Sequence, residues 1–181
     1  MRRRRIVVLG IAQALIALST GMIGPVYALY FERIAGEISL VPFVIGLYWI
    51  IVGVLEILFG SIIDKIGKSR SFLIGGLTVS LGILLYPFVT DIYTLICVEV
   101  INAIGYSLQV PAFISLLAEL TSREKRGKEV GLVDSFWNIG YGISAVASSI
   151  LISFFGLSFI FVLAGLFNGI SSVIVGRKIN L

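Results

Sequence analysis

Between Asp134 and Arg177 the chain runs for 42 residues without one charged side chain. No soluble domain of this length can hide such a stretch, because its surface needs charge about every fourth residue to stay wet. A helix that crosses a bilayer takes about 20 apolar residues. The run is therefore two crossings, with Phe155-Gly156-Leu157-Ser158 as the turn between them. Other runs repeat the pattern. Residues 6–31 and 71–90 carry no charge, and residues 41–63 and 92–117 carry one acid each, Glu56 and Glu99. The 181 residues thus hold six crossings, over about 6–31, 41–63, 71–90, 92–117, 132–154 and 157–176. The expected fold is an all-α integral membrane protein forming a single domain over 1–181. Composition agrees, with 58% hydrophobic and 13% charged residues and a mean hydropathy of +1.07. Disorder, collagen and disulfide scaffolds are excluded. Cys97 is alone, and there is no His, which removes His-based catalysis, metal clusters and haem ligation. No cofactor and no metal are expected.

Orientation follows from the basic residues. Arg2 to Arg5, Lys65, Lys68, Arg70, Arg123, Lys125, Arg126, Lys128, Arg177 and Lys178 fall on one side, 13 of the 14. Only Arg33 falls on the other, beside Glu32 and Glu37. The positive-inside rule then puts both termini in the cytoplasm, in an inner or plasma membrane. The pI of 9.4 is this topology signal, and no nucleic-acid partner is expected. A basic start before an apolar run resembles a signal peptide, but the run is too long and no small-residue cleavage site follows. Span 1 is expected to remain.

Spans 1–3 and 4–6 share a faint pattern. Gly21 and Gly24 precede Pro25 in span 1, and Gly105 precedes Pro111 in span 4. Val44-Ile45-Gly46-Leu47 opens span 2, and Glu129-Val130-Gly131-Leu132 leads into span 5. Three spans is an odd number, so the triplets enter the membrane from opposite sides, as in an inverted 3+3 repeat.

The loop between spans 2 and 3 is more specific. It reads Gly60-Ser-Ile-Ile-Asp64-Lys65-Ile-Gly67-Lys68-Ser-Arg70. Gly60 allows close helix contact, Asp64 ends the span, Gly67 makes the turn, and Lys68 and Arg70 can pair with acids. Glu119, at the cytoplasmic end of span 4, is the candidate partner. This loop resembles the motif of the major facilitator superfamily, Gly-x-x-x-Asp-Arg/Lys-x-Gly-Arg/Lys-Arg/Lys, between that family's second and third helices. Arg126-Gly127 ahead of Gly131 is a softer match. The resemblance covers the whole chain as an amino-terminal six-helix half. It implies transport by alternating access, with the loop as a cytoplasmic latch between halves and the first and fourth helices lining a central cavity. Two features depart from proton-coupled members. Ile101 stands where an Arg precedes the glycine of the fourth span, and no Pro lies between Asp134 and Phe155.

Ionisable groups at membrane depth are costly and mark function. Glu99, Asn102, Tyr106 and Gln109 in span 4 follow steps of three, four and three, one helical face. Glu99 lies seven residues in from the outer end of the span. Gln13, Thr20 and Tyr27 form a thinner stripe on span 1 at steps of seven. Gln13, Thr20, Glu99, Asn102 and Gln109 are therefore the candidate cavity residues, for a solute or a proton. Hydrogen bonding between helices is the plainer use of the amides. Glu56, Gly60 and Asp64 share one stripe of span 2, and Asp134 sits on a face with Asn138 and Tyr141. The roles of Glu56 and Asp134 stay open; Asp134 also suits the first turn of a helix. Spans 3 and 6 read as lipid-facing outer helices, with Gly165 and Gly169 in a small-residue packing pattern.

The expected function is movement of a small solute, with or without a coupling ion, by a half-size transporter of this type. The alternative is a non-transporting membrane protein, either a truncated relic or a partner subunit. An enzyme is not expected. The polar faces of spans 1 and 4 would meet lipid in an isolated half, so a second six-helix half is expected, from a second copy or a separate chain. Substrate, direction and coupling ion have no signal in the sequence.

Overall fold

The computed structural model describes residues 2–179, without the side chains of Arg2 and Ala35. The Arg2 side chain, one of the basic anchors, thus lies outside the described residues. Every regular element described is helical: α1 (Arg2–Ile23), α2 (Tyr27–Ala35), α3 (Leu40–Ile66), α4 (Lys68–Leu85), α5 (Ile92–Leu120) and α6 (Arg126–Lys178). Five helical stretches are long and apolar enough to cross a membrane, with α1 and α2 forming one of them.

The breaks have local causes. Pro25, in a 3₁₀ turn over Gly24–Val26, interrupts the first stretch, because its ring removes an N–H and crowds the preceding turn. Gly36 ends α2 at φ 77°, and Gly67 separates α3 from α4 at φ 95°. Both values favour a residue without Cβ. A 3₁₀ turn over Tyr86–Phe88, with Pro87 inside it, ends α4. Asp91 opens α5 by accepting from the backbone of Tyr93 and Thr94, while Thr94 returns a bond to the Asp91 backbone.

The helices extend past the expected spans at most ends. Helix α3 runs over 40–66 rather than 41–63, and α5 over 92–120 rather than 92–117. Charged residues at the ends can be helical while standing outside the hydrocarbon, so charge marks the membrane boundary and not the helix boundary. The turn expected at 155–158 is narrower still. Only Gly156 leaves helical geometry within α6, at φ 76° and ψ 176°.

That one residue reverses the chain. In the first arm, 126–155, Phe136 crowds Gly10 and Ser144 Oγ donates to Ala17 O at 3.3 Å, so residue numbers rise together along α1. In the second arm, 157–178, Ser171 Oγ donates to Ala12 O at 2.8 Å, while Val175 clusters with Ile6 and Leu9. There the numbers run in opposite directions.

The interfaces share one device. Ser80 Oγ donates to Gly165 O at 2.7 Å, Ser69 Oγ to Val175 O at 3.1 Å, and Ser107 Oγ to Val52 O at 3.3 Å. A hydroxyl in hydrocarbon has no water to turn to, so it bonds a carbonyl of the adjacent helix and ties the two together.

Helix α4 differs from expectation. It is not a purely lipid-facing helix. Phe72, Gly75, Gly76, Val79 and Gly82 are buried between α5 and the second arm of α6. Only its other face, with Ile74, Leu77 and Leu81, is exposed. The bare glycines let two neighbours approach at once, and that packing leaves no charge to betray it.

Candidate functional site

Two turns into α5 the chain buries an acid. Glu99 is 3% exposed, and each of its carboxylate oxygens accepts from a different phenol. Tyr27 Oη donates to Oε2 at 2.8 Å, and Tyr86 Oη donates to Oε1. The phenols come from the two helix breaks. Tyr27 opens α2 just after the Pro25 turn, and Tyr86 opens the turn that ends α4. Tyr30 Oη donates to the Tyr86 carbonyl at 2.5 Å, and the Phe161 ring packs tilted at 4.8 Å between ring centroids, so Tyr86 is held on two sides. Burying a carboxylate is costly unless hydrogen bonds replace its water. The two phenols supply that replacement.

One turn further, Asn102 Nδ2 donates to Tyr86 Oη at 3.1 Å. The proton of Tyr86 is committed to Glu99, so this phenol oxygen can only accept, which fixes the amide's orientation. Asn102 Oδ1 is then left buried without a partner.

These groups line a cavity of about 670 Å³ between α1, α3, α4, α5 and the arms of α6, with Tyr27 from α2. The volume suits a small organic molecule. Gln13 and Thr20 reach it from α1, and Glu99, Asn102 and Gln109 from α5. The five cavity candidates therefore lie on one space. Thr20 Oγ1 is turned back onto Ile16 O at 2.9 Å, and Gln109 Nε2 donates to Asn168 Oδ1 at 3.2 Å. Ser19 Oγ lines the same space, buried and without a partner. Trp49 and Tyr106 meet edge to face at 5.5 Å and form an aromatic wall. Among the described residues no Lys or Arg lines this cavity.

Tyr86 and Asn168 escape a reading by sequence. Tyr86 sits at the end of a span with no charge, where an aromatic looks like an interfacial anchor. Asn168 carried a usable signal, as the one amide in its span, but Gly165 and Gly169 on either side suggest plain packing.

Glu56 is half-buried on α3 and does not line the cavity. Asp134 is exposed and accepts from Asn138 Nδ2 at 3.1 Å. Neither joins the Glu99 group.

The loop motif forms a separate recess of about 530 Å³, where Asp64, Gly67, Lys68 and Arg70 face Glu119. Lys68 Nζ pairs with Glu119 Oε1. Gly67 N–H bonds Ile63 O and Gly67 O accepts from Ser71 N, both at 2.9 Å, so the left-handed glycine closes one helix and opens the next. Asp64, Lys65 and Arg70 are exposed, and a Cβ at Gly60 would touch nothing.

Comparison with known proteins adds to this geometry. A family model described as Major Facilitator Superfamily matches residues 9–179. The chain is 32% identical over 99 residues to a Bacillus subtilis protein named "Putative niacin/nicotinamide transporter", covering 55% of this chain and 25% of that one. It is 25% identical over 142 residues to the riboflavin transporter of Clostridioides difficile, covering 78% and 31%. With the niacin transporter of Acinetobacter baylyi it shares 25% identity over 163 residues, covering 88% and 36%. The matched region thus spans about a quarter to a third of each relative's length.

Proposed function

The chain belongs to the major facilitator superfamily, and we propose that it moves a small solute across a membrane as one half of an alternating-access pathway. One observation carries the reading. The cavity at membrane depth gathers an acid, several amides and an aromatic wall from spans far apart in sequence. The relatives' names point to small heterocyclic vitamins as the first solutes to try.

Six crossings with both termini inside belong to this proposal. The 13-to-1 basic asymmetry and the opposite directions of the two α6 arms beside α1 support it. An inverted 3+3 repeat has support in the helix pairing. Exchange span 1 with 4, 2 with 5, and 3 with 6, counting the α6 arms as 5 and 6. The contact of Ser144 with Ala17 (5 on 1) then maps onto that of Ser107 with Val52 (2 on 4). The α4–α5 seam maps onto the pairing of α1 with the second arm, and the pairing of α4 with that arm maps onto itself. The recess around Asp64, Lys68 and Glu119 is read as the cytoplasmic latch.

A second reading also has an observation behind it. A Cβ at Gly46, Gly53 or Gly60, or at Gly131 or Gly142 on the first arm, would meet nothing within 4 Å. These open faces suit a second six-helix half, supplied by another copy or by a separate chain. In that reading the chain is a partner subunit, inert alone.

The test is uptake of labelled nicotinamide and riboflavin into vesicles holding the purified chain. Saturable uptake of either, greatly reduced by Glu99→Ala, is the expected result. Uptake indifferent to that substitution removes the cavity from the pathway. No uptake of either without an added partner favours the second reading.

A further inference from the structure

We propose that the cavity selects a flat, neutral or cationic solute that donates N–H hydrogen bonds from one end, and rejects the isosteric carboxylate. The inference rests on reading the cavity as the solute's path, and three observations define the chemistry.

The first is charge. Among the described residues Glu99 is the one carboxylate that lines the cavity, and no Lys or Arg lines it. An anion entering this space meets a carboxylate and finds no counter-charge. A cation meets the acid and several ring faces, which attract positive charge.

The second is the direction of the hydrogen bonds. Around Glu99 the phenol donors are committed to the carboxylate, and one N–H of Asn102 Nδ2 is given to Tyr86. Asn102 Oδ1 is buried against Gly82, out of a solute's reach, and what remains is acceptor capacity on Glu99, whose oxygens each take one phenol and have a second lone pair. A solute N–H can donate to that lone pair, whereas a carboxylate oxygen is repelled by it.

The third is shape. Trp49 and Tyr106 stand edge to face on one side, and Tyr27 and Tyr86 stand edge to face at 6.2 Å on another. Aromatic rings on two parts of the wall favour a planar solute.

The probes are benzamidinium, benzamide and benzoate, which share one flat frame and carry charges of plus one, zero and minus one. The chain's two tryptophans, Trp49 and Trp137, both line the cavity, so their fluorescence reports occupancy directly. The purified chain in nanodiscs is titrated with each probe, and the same vesicles are assayed for uptake. Benzamide and benzamidinium should bind about tenfold or more tighter than benzoate, the factor one mismatched polar contact is worth. Glu99→Gln should narrow the gap between benzamidinium and benzoate. Benzoate binding as tightly as benzamide overturns the proposal, and so does binding of none of the three. The wild-type series decides even where the variant does not fold. The predicted order without uptake of any probe keeps the selectivity and refutes transport by this chain alone. Uptake favouring benzoate keeps the path and refutes the selectivity.

Discussion

Two sets of glycines in this chain do opposite things. On the α4–α5 seam, a Cβ at Gly75 would lie 2.6 Å from Gln109 N and Gly105 O, and one at Gly105 would lie 2.6 Å from Val79 N. Those atoms are backbone and cannot step aside. On α3, Gly46, Gly53 and Gly60 recur every seven residues and face open space. Around them Trp49, Ile50, Val54 and Ile57 are exposed. The closed seam shows what glycine does when a neighbouring helix is present, namely bring two backbones together. The open stripe is also glycine, and among the described residues no helix lies against it. The two faces differ in whether a second backbone comes close.

The largest expected effect breaks the seam. Gly105→Leu should destabilise the chain at the upper end of the range of about 1–3 kcal/mol typical of overpacking, because backbone must move. Gly53→Leu should stay within about 0.5 kcal/mol, as for surface changes. Thermal unfolding in mild detergent measures both. Equal losses would erase the distinction between the faces.

A middling effect is expected at the buried acid. Tyr86→Phe removes a donor from Glu99 and an acceptor from Asn102, which should cost about 1–3 kcal/mol for the groups left unsatisfied. Tyr93→Phe is the matched control, since Tyr93 is 78% exposed. The readout is unfolding temperature together with solute uptake, and only the first variant should lower either.

The latch should respond in rate more than in stability. Lys68 and Glu119 are 26% and 42% exposed, so breaking their pair should cost at most about 1 kcal/mol. Asp64→Asn should slow uptake while leaving the half-saturating concentration nearly unchanged. Uptake at the wild-type rate removes Asp64 from the latch.

The smallest effect is at the Asp91 end of α5. The backbone N–H of Thr94 leads the bonds that hold the fully exposed Asp91 carboxyl below its ordinary value. A lowered value means the charged form is favoured in the folded state. Its contribution is complete above the ordinary aspartate value of about 4 and is lost as pH falls through the lowered one. Asp91→Asn should flatten that acid limb and lower stability slightly at neutral pH, where the contribution of the charged form is complete, as thermal unfolding across pH would show.

Much of this molecule was legible because charge is scarce in it. Runs between charges located the helices, and the step pattern from Glu99 to Gln109 put one polar face on α5 before any fold was known. What stayed hidden has a common physical reason. Tyr86 reaches Glu99 only because Pro87 ends α4 in a tight turn, a three-dimensional consequence that no periodicity records. Helix α4 looked like an outer helix because its contacts are made by glycine and serine, which hydropathy scores as bland. Gly156 reverses a helix with one residue, where the run of apolar side chains predicts a longer turn.

The pairing of this chain with a second half is tested most directly by native mass measurement in nanodiscs, coupled to solute uptake by the same preparation. The account predicts that uptake accompanies a species of twice the 19.6 kDa chain mass, or a complex of the chain with a separate partner, and that Gly53→Leu shifts the population toward 19.6 kDa. A species of 19.6 kDa that moves solute on its own contradicts it.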